Sequence, residues 1–209
     1  MRSFPGPSRK RSHMDSRDRL LALLIERSLR VGRFTLASGA RSTYYVDARA
    51  TTMTAEGQAL VGRVCLSYLR RAGLDPTHVG GLTMGADPIA YAIARQSWEE
   101  GRPIDAFSVR KDAKEYGTRR RVEGGLPADA RVVVIEDAMT TGRSTLKAIR
   151  AVEDHGSRVL AVLALVDREE GARERIAREG HAATTVFPAS ELLAAREEQA
   201  GAEIPGAPG

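Results

Sequence analysis

The sequence predicts an α/β protein with a mostly parallel central sheet that is covered by helices on both faces. Short apolar runs alternate with longer amphipathic segments along the chain, which is the pattern of strand–helix–strand units. Runs such as VVVI (132–135) and VLAVLALV (159–166) are apolar at every position, as expected of strands that are buried on both sides. With 209 residues, 42% of them hydrophobic, the chain can bury the core of one such domain.

The N-terminal third is predicted to hold two helices on either side of a hairpin. Apolar residues at helical spacing indicate a helix that starts at Ser16 and ends at Gly32. Two extended pieces around a Ser-Gly turn indicate a hairpin over 34–49. The second helix is predicted to have Thr54 as its N-cap and Gly73 as its stop.

Strands and helices alternate over the rest of the chain. The predicted order is a strand over 78–83, a helix over 86–101, a strand over 104–109, a charged segment over 110–125, a strand over 131–136, a helix over 142–156, a strand over 158–167, a helix over 168–180 and a strand over 183–187. Right-handed crossovers between parallel strands then place ligand sites at the carboxyl ends of the strands, near a switch in strand order.

Positive charge is concentrated at the N-terminus. The chain carries a net charge of +5, and its first thirteen residues hold four cations and no acid, which leaves +1 for the remainder. We therefore interpret 1–14 as a disordered basic tail, 15–199 as one domain and 200–209 as a frayed C-terminal tail. Because the domain itself is nearly neutral, no nucleic-acid partner is expected.

Several residue types limit the possible classes of protein. The single cysteine, Cys65, excludes a disulfide framework and a multi-cysteine zinc site, and it fits a cytoplasmic protein. The longest apolar run, LLALLI at 20–25, is far too short for a membrane span, so no membrane partner is expected. The four histidines lack metal-binding spacing, and Trp98 is interpreted as a packing residue on a helix face.

Two adjacent acids stand at the end of the strand predicted at 131–136, and a hydroxyl-rich turn follows them. Glu136 and Asp137 can accept hydrogen bonds from a pair of neighbouring sugar hydroxyls. Gly142 permits a tight turn that opens a helix, and the free N–H groups of a helix N-terminus suit a phosphate. A phosphate cradle beside two diol-binding carboxylates describes a site for a 5-phosphoribosyl group. The alternative is a capped helix after a strand, with Asp137 as an ordinary acidic turn residue.

The stretch VVVIEDAMTTGRST, residues 132–145, resembles the signature with which type I phosphoribosyltransferases bind 5-phosphoribosyl 1-diphosphate (PRPP). The resemblance implies the fold of that family, with a small N-terminal hood and a mobile lid hairpin. It implies that Glu136 and Asp137 hold the ribose hydroxyls, and Asp137 is also assigned a catalytic role. The PRPP-binding loop is implied to comprise Ala138, Thr140, Thr141, Gly142, Arg143 and Ser144. Arg143 stands where the family usually has a small residue.

Three further stretches resemble segments of orotate phosphoribosyltransferases. They are FTLASGARSTYYVDAR (34–49), RKDAKEYG (110–117) and LVDREEG (165–171), and the whole resemblance covers about residues 15–195. It implies transfer of the phosphoribosyl group from PRPP to N1 of orotate in pyrimidine biosynthesis, giving orotidine 5′-monophosphate and pyrophosphate. It also implies Mg²⁺ held mainly by PRPP and water, and a homodimer whose lid acts across subunits.

The charged segment after residue 109 is rich in lysine and arginine, which suits a lid that closes over a departing pyrophosphate. The alternative is a solvated charged hairpin. By resemblance Arg110, Lys111 and Lys114 are catalytic and bind PRPP, and Tyr116 contacts PRPP. Two positions depart from the family pattern: Tyr116 replaces a frequent histidine and Ala37 replaces a lysine.

Orotate is assigned a separate group of residues. Arg168 directly follows an apolar strand, and its guanidinium matches the planar carboxylate of orotate. The alternative is a surface arginine that begins the next helix, where it would oppose the helix dipole. Tyr44 and Tyr45 are predicted to pack on the pyrimidine ring, or else to be ordinary strand core residues, and Ser38 and Thr140 are predicted to line the pocket.

The stretch GLTMGADPIA, residues 81–90, resembles the family's pyrophosphate loop. Thr83, Gly85 and Asp87 are therefore assigned to PRPP, and Asp87 is also predicted to cap the following helix. Two other functions stay open at this stage: a phosphoribosyltransferase for a purine base, and a PRPP-binding regulator.

Overall fold

The computed structural model describes residues 15–35, 41–111 and 121–202. The predicted basic tail and several predicted site residues lie outside these ranges. The site residues concerned are Ser38, Lys114 and Tyr116, together with the position of Ala37.

The described chain contains helices and strands in close alternation. In chain order they are α1 (Ser16–Arg27), β1 (Leu29–Thr35), β2 (Arg41–Val46), α2 (Arg49–Thr52), α3 (Ala55–Arg71), β3 (His78–Leu82), α4 (Ala86–Glu99), β4 (Asp105–Val109), β5 (Val122–Glu123), β6 (Arg131–Met139), α5 (Arg143–Asp154), β7 (Arg158–Asp167), α6 (Ala172–Arg178), β8 (Ala183–Pro188) and α7 (Ala189–Ala202). Among these, no helix is long and apolar enough to cross a membrane.

The central sheet has six strands in the order β5-β4-β3-β6-β7-β8. All neighbours are parallel except β5, which runs antiparallel to β4 at the edge. The chain moves from β3 outward to β4 and then crosses back to β6, so the strand order switches between β3 and β6. The carboxyl ends of these two strands therefore flank the crevice in which open α/β sheets bind ligands.

Alternate residues of β6 enter two separate hydrophobic layers. Val133 and Ile135 pack with helices α1, α3 and α4 on one face of the sheet. Val132 and Val134 pack with α5 and α6 on the other face. Because both faces are covered, the strand needs apolar residues at every position, which confirms the interpretation of the VVVI run.

A small antiparallel hairpin of β1 and β2 stands apart from the main sheet, as the N-terminal hood. The hairpin was predicted, but the end of the first helix was not. Helix α1 ends at Arg27 instead of Gly32, and the N–H of Ser28 closes it by donating to the carbonyl of Leu24. Leu29 already pairs with Val46, so the hairpin ladder takes over residues whose apolar spacing alone was compatible with a helix.

Other elements also differ from the prediction, and β6 continues to Met139, past the predicted end at 136. Helix α6 begins at Ala172, after Gly171 in the left-handed conformation, so Arg168 precedes it by four residues. Helix α7 follows β8, where the sequence analysis assigned no element, and it continues to Ala202. Its stretch ASELLAAREEQA consists largely of strong helix formers, and this composition could have indicated the helix. The short helix α2 was also missed.

Trp98 is mostly exposed among the described residues. Its side chain on α4 is 74% exposed, so the interpretation of Trp98 as a packing residue is wrong within one subunit.

Candidate active site

The candidate site lies where the carboxyl ends of β3, β6 and β7 come together. The N–H of Arg168 donates to the carbonyl of Met139 over 2.8 Å, which joins the end of β7 to the end of β6. The N–H of Thr83 donates to the carbonyl of Val109 over 2.8 Å, which joins the segment after β3 to the end of β4. Every described residue that the sequence assigned to the site lies on the segments joined here or on the hood beside them.

Glu136 is a buried carboxylate on the α5 side of β6, with 8% of its surface exposed. Its Oε2 accepts hydrogen bonds from the Ser144 hydroxyl at 3.0 Å and the Thr145 hydroxyl at 2.6 Å. Burial raises the pKa of Glu136 to about 7, and the charge of Asp137 adds to the increase while the two hydroxyl bonds oppose it. The carboxylate therefore titrates close to neutral pH.

Asp137 points the other way, toward α4, as neighbours in a strand do. Its carboxylate is half-buried, and burial raises its pKa; its own backbone N–H and that of Ala138 oppose the shift, as does the charge of Arg49. Gly85, just before α4, lies against it so closely that a Cβ there would collide with the Asp137 carboxylate. The repulsion between adjacent acids is thus reduced by placing them on opposite faces.

The predicted phosphate loop forms the start of α5. Gly142 has a left-handed backbone, φ 76°, and as the N-cap it offers no side-chain acceptor to the first N–H groups of the helix. A Cβ at this glycine would lie 3.3 Å from the carbonyl oxygen of Ala172, which shows how tightly the turn packs on α6. Thr140 and Thr141 are half-buried in the turn. The arrangement presents backbone N–H donors and hydroxyls to one small region.

Arg168 is buried beneath the hood, with only 4% of its side chain exposed. Its guanidinium lies 4.8 Å from the ring centre of Tyr44 and donates to the hydroxyl of Ser42 at 3.1 Å. It also pairs with Glu170 at 3.0 Å, while its buried Nε has no partner among the described residues. The alternative of a surface arginine that begins a helix is therefore wrong.

The two hood tyrosines lie on opposite faces of β2. The hydroxyl of Tyr44 donates to the carbonyl of Arg168 at 3.2 Å, so Tyr44 belongs to the buried cluster. Tyr45 is exposed and packs on Phe34, with ring centres 5.8 Å apart. The structure thus brings Tyr44, and not Tyr45, into contact with Arg168.

Asp87 does not cap α4, so that prediction is wrong. The N-cap is Gly85, two residues before Asp87, and the helix begins at Ala86, which places Asp87 inside the first turn. There its carboxylate accepts a hydrogen bond from the hydroxyl of Ser108 on β4 at 2.7 Å. Ser108 in turn lies 3.3 Å from the hydroxyl of Tyr91.

The described ends of the predicted lid lie side by side at the end of β4. The N–H of Arg110 donates to the carbonyl of Arg121 at 2.8 Å, and the Arg110 side chain lies 3.8 Å from Glu123. The guanidinium of Arg121 donates to the carbonyl of Lys111 at 3.2 Å. Arg110 and Lys111 therefore stand at the hairpin base, and Lys114 and Tyr116 lie outside the described residues.

Sequence reasoning missed four polar neighbours of these residues. Arg49 and Asp47 pair at 2.9 Å, and their charges shift the pKa of Asp137 in opposite directions: Arg49 lowers it and Asp47 raises it. Ser42 and Glu170 contact Arg168. All four lie within or beside stretches that were recognised. Their roles depend on side-chain directions, which no spacing rule supplies.

No group of three or more acidic, histidine or cysteine side chains in the described chain is placed to hold a metal ion. Asp137 is the half-buried carboxylate at the crevice, and its pKa responds to the nearby cation Arg49. The donor set fits a hard cation that takes most of its ligands from a bound diphosphate and water.

A parallel sheet with two acids, a glycine turn and a helix N-terminus at its switch point defines the phosphoribosyltransferase class. The family model described as phosphoribosyl transferase domain matches residues 52–187. Orotate phosphoribosyltransferase of Aquifex aeolicus is 45% identical over 183 residues, covering 86% of this chain and 99% of that protein. The chain belongs to the orotate phosphoribosyltransferase family.

Solved structures agree with this placement. The Mycobacterium tuberculosis orotate phosphoribosyltransferase in complex with Fe(III) dicitrate is 44% identical, with a TM-score of 0.75, covering 85% of this chain and 98% of that one. The same enzyme in complex with PRPP is 42% identical, with a TM-score of 0.71 and the same coverage.

Proposed function

We propose that this protein transfers the 5-phosphoribosyl group of PRPP to N1 of orotate, releasing pyrophosphate and forming orotidine 5′-monophosphate for pyrimidine biosynthesis. The observation that carries the proposal is the end of β6, where two carboxylates precede a glycine turn and a helix N-terminus. Relatives with this architecture are named for the same reaction, and one is solved in complex with PRPP.

The sugar phosphate is proposed to bind across the end of β6. Both hydroxyl bonds to Glu136 use Oε2, so Oε1 is available for a ribose hydroxyl, and Asp137 accepts from the neighbouring one. The 5′-phosphate binds to the turn from Ala138 to Arg143, where Gly142 allows the backbone N–H groups to converge. Ser144 bonds to Glu136 in this structure, so it contributes to phosphate binding only after releasing that carboxylate.

Orotate is proposed to bind between the hood and the end of β7. Arg168 is the buried cation available to its carboxylate, and Tyr44 stacks on the same guanidinium. Glu170 occupies part of the guanidinium in this structure, so the substrate carboxylate must compete with it. Thr140 lies in the half-buried turn and is proposed to contact orotate. Ser38, proposed for the same role, lies outside the described residues.

Bond breaking between C1 and pyrophosphate leaves negative charge on the departing group, which fixed cations stabilise. Arg110 and Lys111 directly follow β4, and Thr83 and Gly85 provide backbone after β3. Lys114 and Tyr116 are proposed to complete the lid. Asp137 is assigned to stabilising the positive charge that develops on the ribose as the bond breaks.

Mg²⁺ is proposed as the cofactor, held mainly by the diphosphate and water. When bound, it neutralises the charge of the diphosphate. Asp137 is the protein carboxylate at the crevice that contributes to its position.

A homodimer is proposed to form through α4. Met84, Tyr91 and Trp98, spaced seven residues apart, are 59%, 53% and 74% exposed. Tyr91 also contacts Ser108, one residue before the last residue of β4, so a second copy seated on this face lies next to the base of the lid. This position suits a lid that acts across subunits, and the exposed apolar side chains suit burial against a partner.

A spectrophotometric assay tests the proposed reaction. Orotate absorbance should fall in the presence of PRPP and Mg²⁺, and Asp137→Asn should slow the reaction by about 100-fold or more, since it removes one charge at the reacting ribose. Arg158→Ser, at an exposed position at the start of β7, is the control and should leave the rate unchanged. Turnover of adenine or guanine in place of orotate, detected by product chromatography, would contradict the proposal.

The proposed reaction belongs to the cytoplasm. The single thiol, Cys65, is fully buried on α3, so nothing in the described chain requires an oxidising compartment.

A further inference from the structure

The surface between α5 and α6 carries a groove of about 450 Å³, which we call the α5–α6 groove. Its cationic lining residues are Arg143, Lys147, Arg150, Arg175 and Arg178, and they are joined by Leu146 and Glu179. Five cations and one acid give the lining a net charge of +4. None of the proposed ribose-binding or orotate-binding side chains lines it, and Arg143 is the one residue that it shares with the proposed 5′-phosphate turn.

Most of this positive charge has no acidic partner. Arg150 forms an ion pair with Glu179, with 3.6 Å between the guanidinium nitrogen and the carboxylate oxygen. Within the described ranges, the other four cations have no carboxylate at salt-bridge distance. The chain beyond its first thirteen residues has a net charge of only +1, so the groove is a local excess within a nearly neutral domain.

The cluster of cations on α5 lowers the stability of that helix. Arg143, Lys147 and Arg150 follow one another at spacings of four and three residues on α5, where like charges repel. Arg143 is also the first residue of α5, at the positive end of the helix dipole. A bound anion removes both penalties at once.

The lining is held in place before any ligand arrives. Ala148, Ile149 and Val152 of α5 and Ile176 of α6 are buried in the core beneath the groove. The two helices also meet at their starts, where Gly142 packs on Ala172. Since both helices are fixed, binding an anion requires the ordering of side chains but not of the backbone.

We propose that the α5–α6 groove is a second anion site, which adjoins the PRPP site at Arg143 and binds a short chain of two or three linked phosphates. Guanidinium groups bind phosphate oxygens in pairs, and four of the five cations are arginines. The run from Arg143 to Arg150 covers about 10 Å of helix, which matches a short phosphate chain. The chain is either free or part of a nucleoside triphosphate.

Calorimetric titration of the full-length protein with inorganic tripolyphosphate tests the proposal. At about 150 mM salt, where weak surface attraction is largely screened, the wild type should bind one equivalent beyond any taken up by the PRPP site. Arg150→Ser combined with Arg178→Ser should lose that equivalent or weaken its Kd by about tenfold or more. Both side chains are exposed, so the fold should be retained, as circular dichroism will verify.

Arg63→Ser combined with Arg71→Ser is the matched control. It removes the same charge from exposed positions on α3 and should bind tripolyphosphate like the wild type. If the groove and control variants have the same stoichiometry and Kd, or if the wild type gains no further equivalent, the proposal is overturned. Lys147→Ser with Arg150→Ser provides a second groove variant in case the first one unfolds.

Repeating the titration with a nucleoside triphosphate identifies the form of the ligand. Equal affinity for both compounds assigns recognition to the phosphate chain alone. If the nucleotide binds more tightly than tripolyphosphate, and the groove variant loses this binding, the site is assigned to nucleotides. The result is independent of the proposed reaction, because PRPP binding and orotate turnover are measured separately on the same variants.

Discussion

At the scale of single residues, the candidate site contains two buried charged side chains, Glu136 and Arg168. Glu136 is bonded by hydroxyls from α5, and Arg168 is bonded by Ser42 and Glu170. In both cases a charged group is buried away from water and hydrogen-bonded to side chains whose place a substrate is proposed to take. Such groups make stability depend on pH and make substrate binding sensitive to their neighbours.

Glu136→Gln should make the protein more stable at high pH. The pKa of Glu136 is raised from 4.5 to about 7, so the folded protein holds this proton through a window in which the unfolded chain has lost it. Stability therefore falls as pH rises through that window, and the loss is complete above it. Removing the charge should add on the order of 3 kcal/mol to the free energy of unfolding at high pH, relative to low pH.

Urea unfolding of both proteins at about pH 4 and pH 8 measures this difference. The variant should match the wild type at the lower pH, because Glu136 is then protonated and the two hydroxyl bonds persist. PRPP binding should weaken in the variant at both values. Equal pH dependence in the two proteins would show that Glu136 does not titrate as described.

Arg168→Ala should raise the KM for orotate by about 10- to 100-fold and leave the KM for PRPP nearly unchanged, since a charged hydrogen-bonding partner of the carboxylate is lost. Glu170→Gln should act in the opposite direction and lower the KM for orotate, because the competing carboxylate is gone. Steady-state kinetics with both substrates measures these effects. Arg173→Ala, an exposed neighbour on α6, is the control, and equal effects on both substrates would refute the role of Arg168.

At the scale of elements, the turn between β6 and α5 combines an unusual backbone with close packing. Gly142 adopts a left-handed φ and rests on the first residue of α6. The same turn is the proposed phosphate cradle and the junction of the α5–α6 groove. Its geometry should therefore control ligand binding more strongly than it controls folding.

Gly142→Ala should weaken PRPP binding while costing about 1–2 kcal/mol of stability, because Ala is strained at φ 76° and its Cβ would press on Ala172. Gly73→Ala is the matched control, with φ +66° and open space around the added Cβ. It should lose a similar or smaller stability and bind PRPP normally. Thermal unfolding and PRPP titration separate the two effects, and equal PRPP affinities in both variants would contradict the assignment of the turn.

At the scale of the whole molecule, the proposed dimer makes a testable use of the exposed side chains of α4. Trp98 and Tyr91 leave most of their apolar surface uncovered in one chain. Burying such aromatic surface is a strong contribution to association. The lid base lies beside this face, so dimerisation and catalysis should depend on each other.

Trp98→Glu should shift the protein toward monomer and reduce turnover, because a charge would have to be buried in the interface. Sedimentation velocity measures the association state, and the orotate assay measures activity on the same samples. Ala177→Glu, on exposed α6 and on the opposite face of the sheet, should keep the wild-type behaviour. An active monomer, or an undisturbed dimer of the Trp98 variant, would contradict the proposed interface.

Local patterns predicted most elements, and the errors have identifiable causes. The solid apolar runs of β6 and β7 and the cap at Thr54 depend on neighbours in sequence, so they were read correctly. Residues 29–32 joined a strand because β2 offered partners to this segment, which apolar spacing alone does not reveal. Asp87 missed the cap position by two residues and bonded to β4 instead.

The sequence by itself determined the class of fold, the family and the strand ends at which the site residues lie, because these depend on periodicity and on short motifs. Only the tertiary structure decided that Glu136 and Asp137 face opposite sides, that Arg168 lies beneath Tyr44, and that five cations meet between α5 and α6. Those outcomes depend on which distant segments share a face of the sheet. That is a property of packing, which no local stretch of sequence contains.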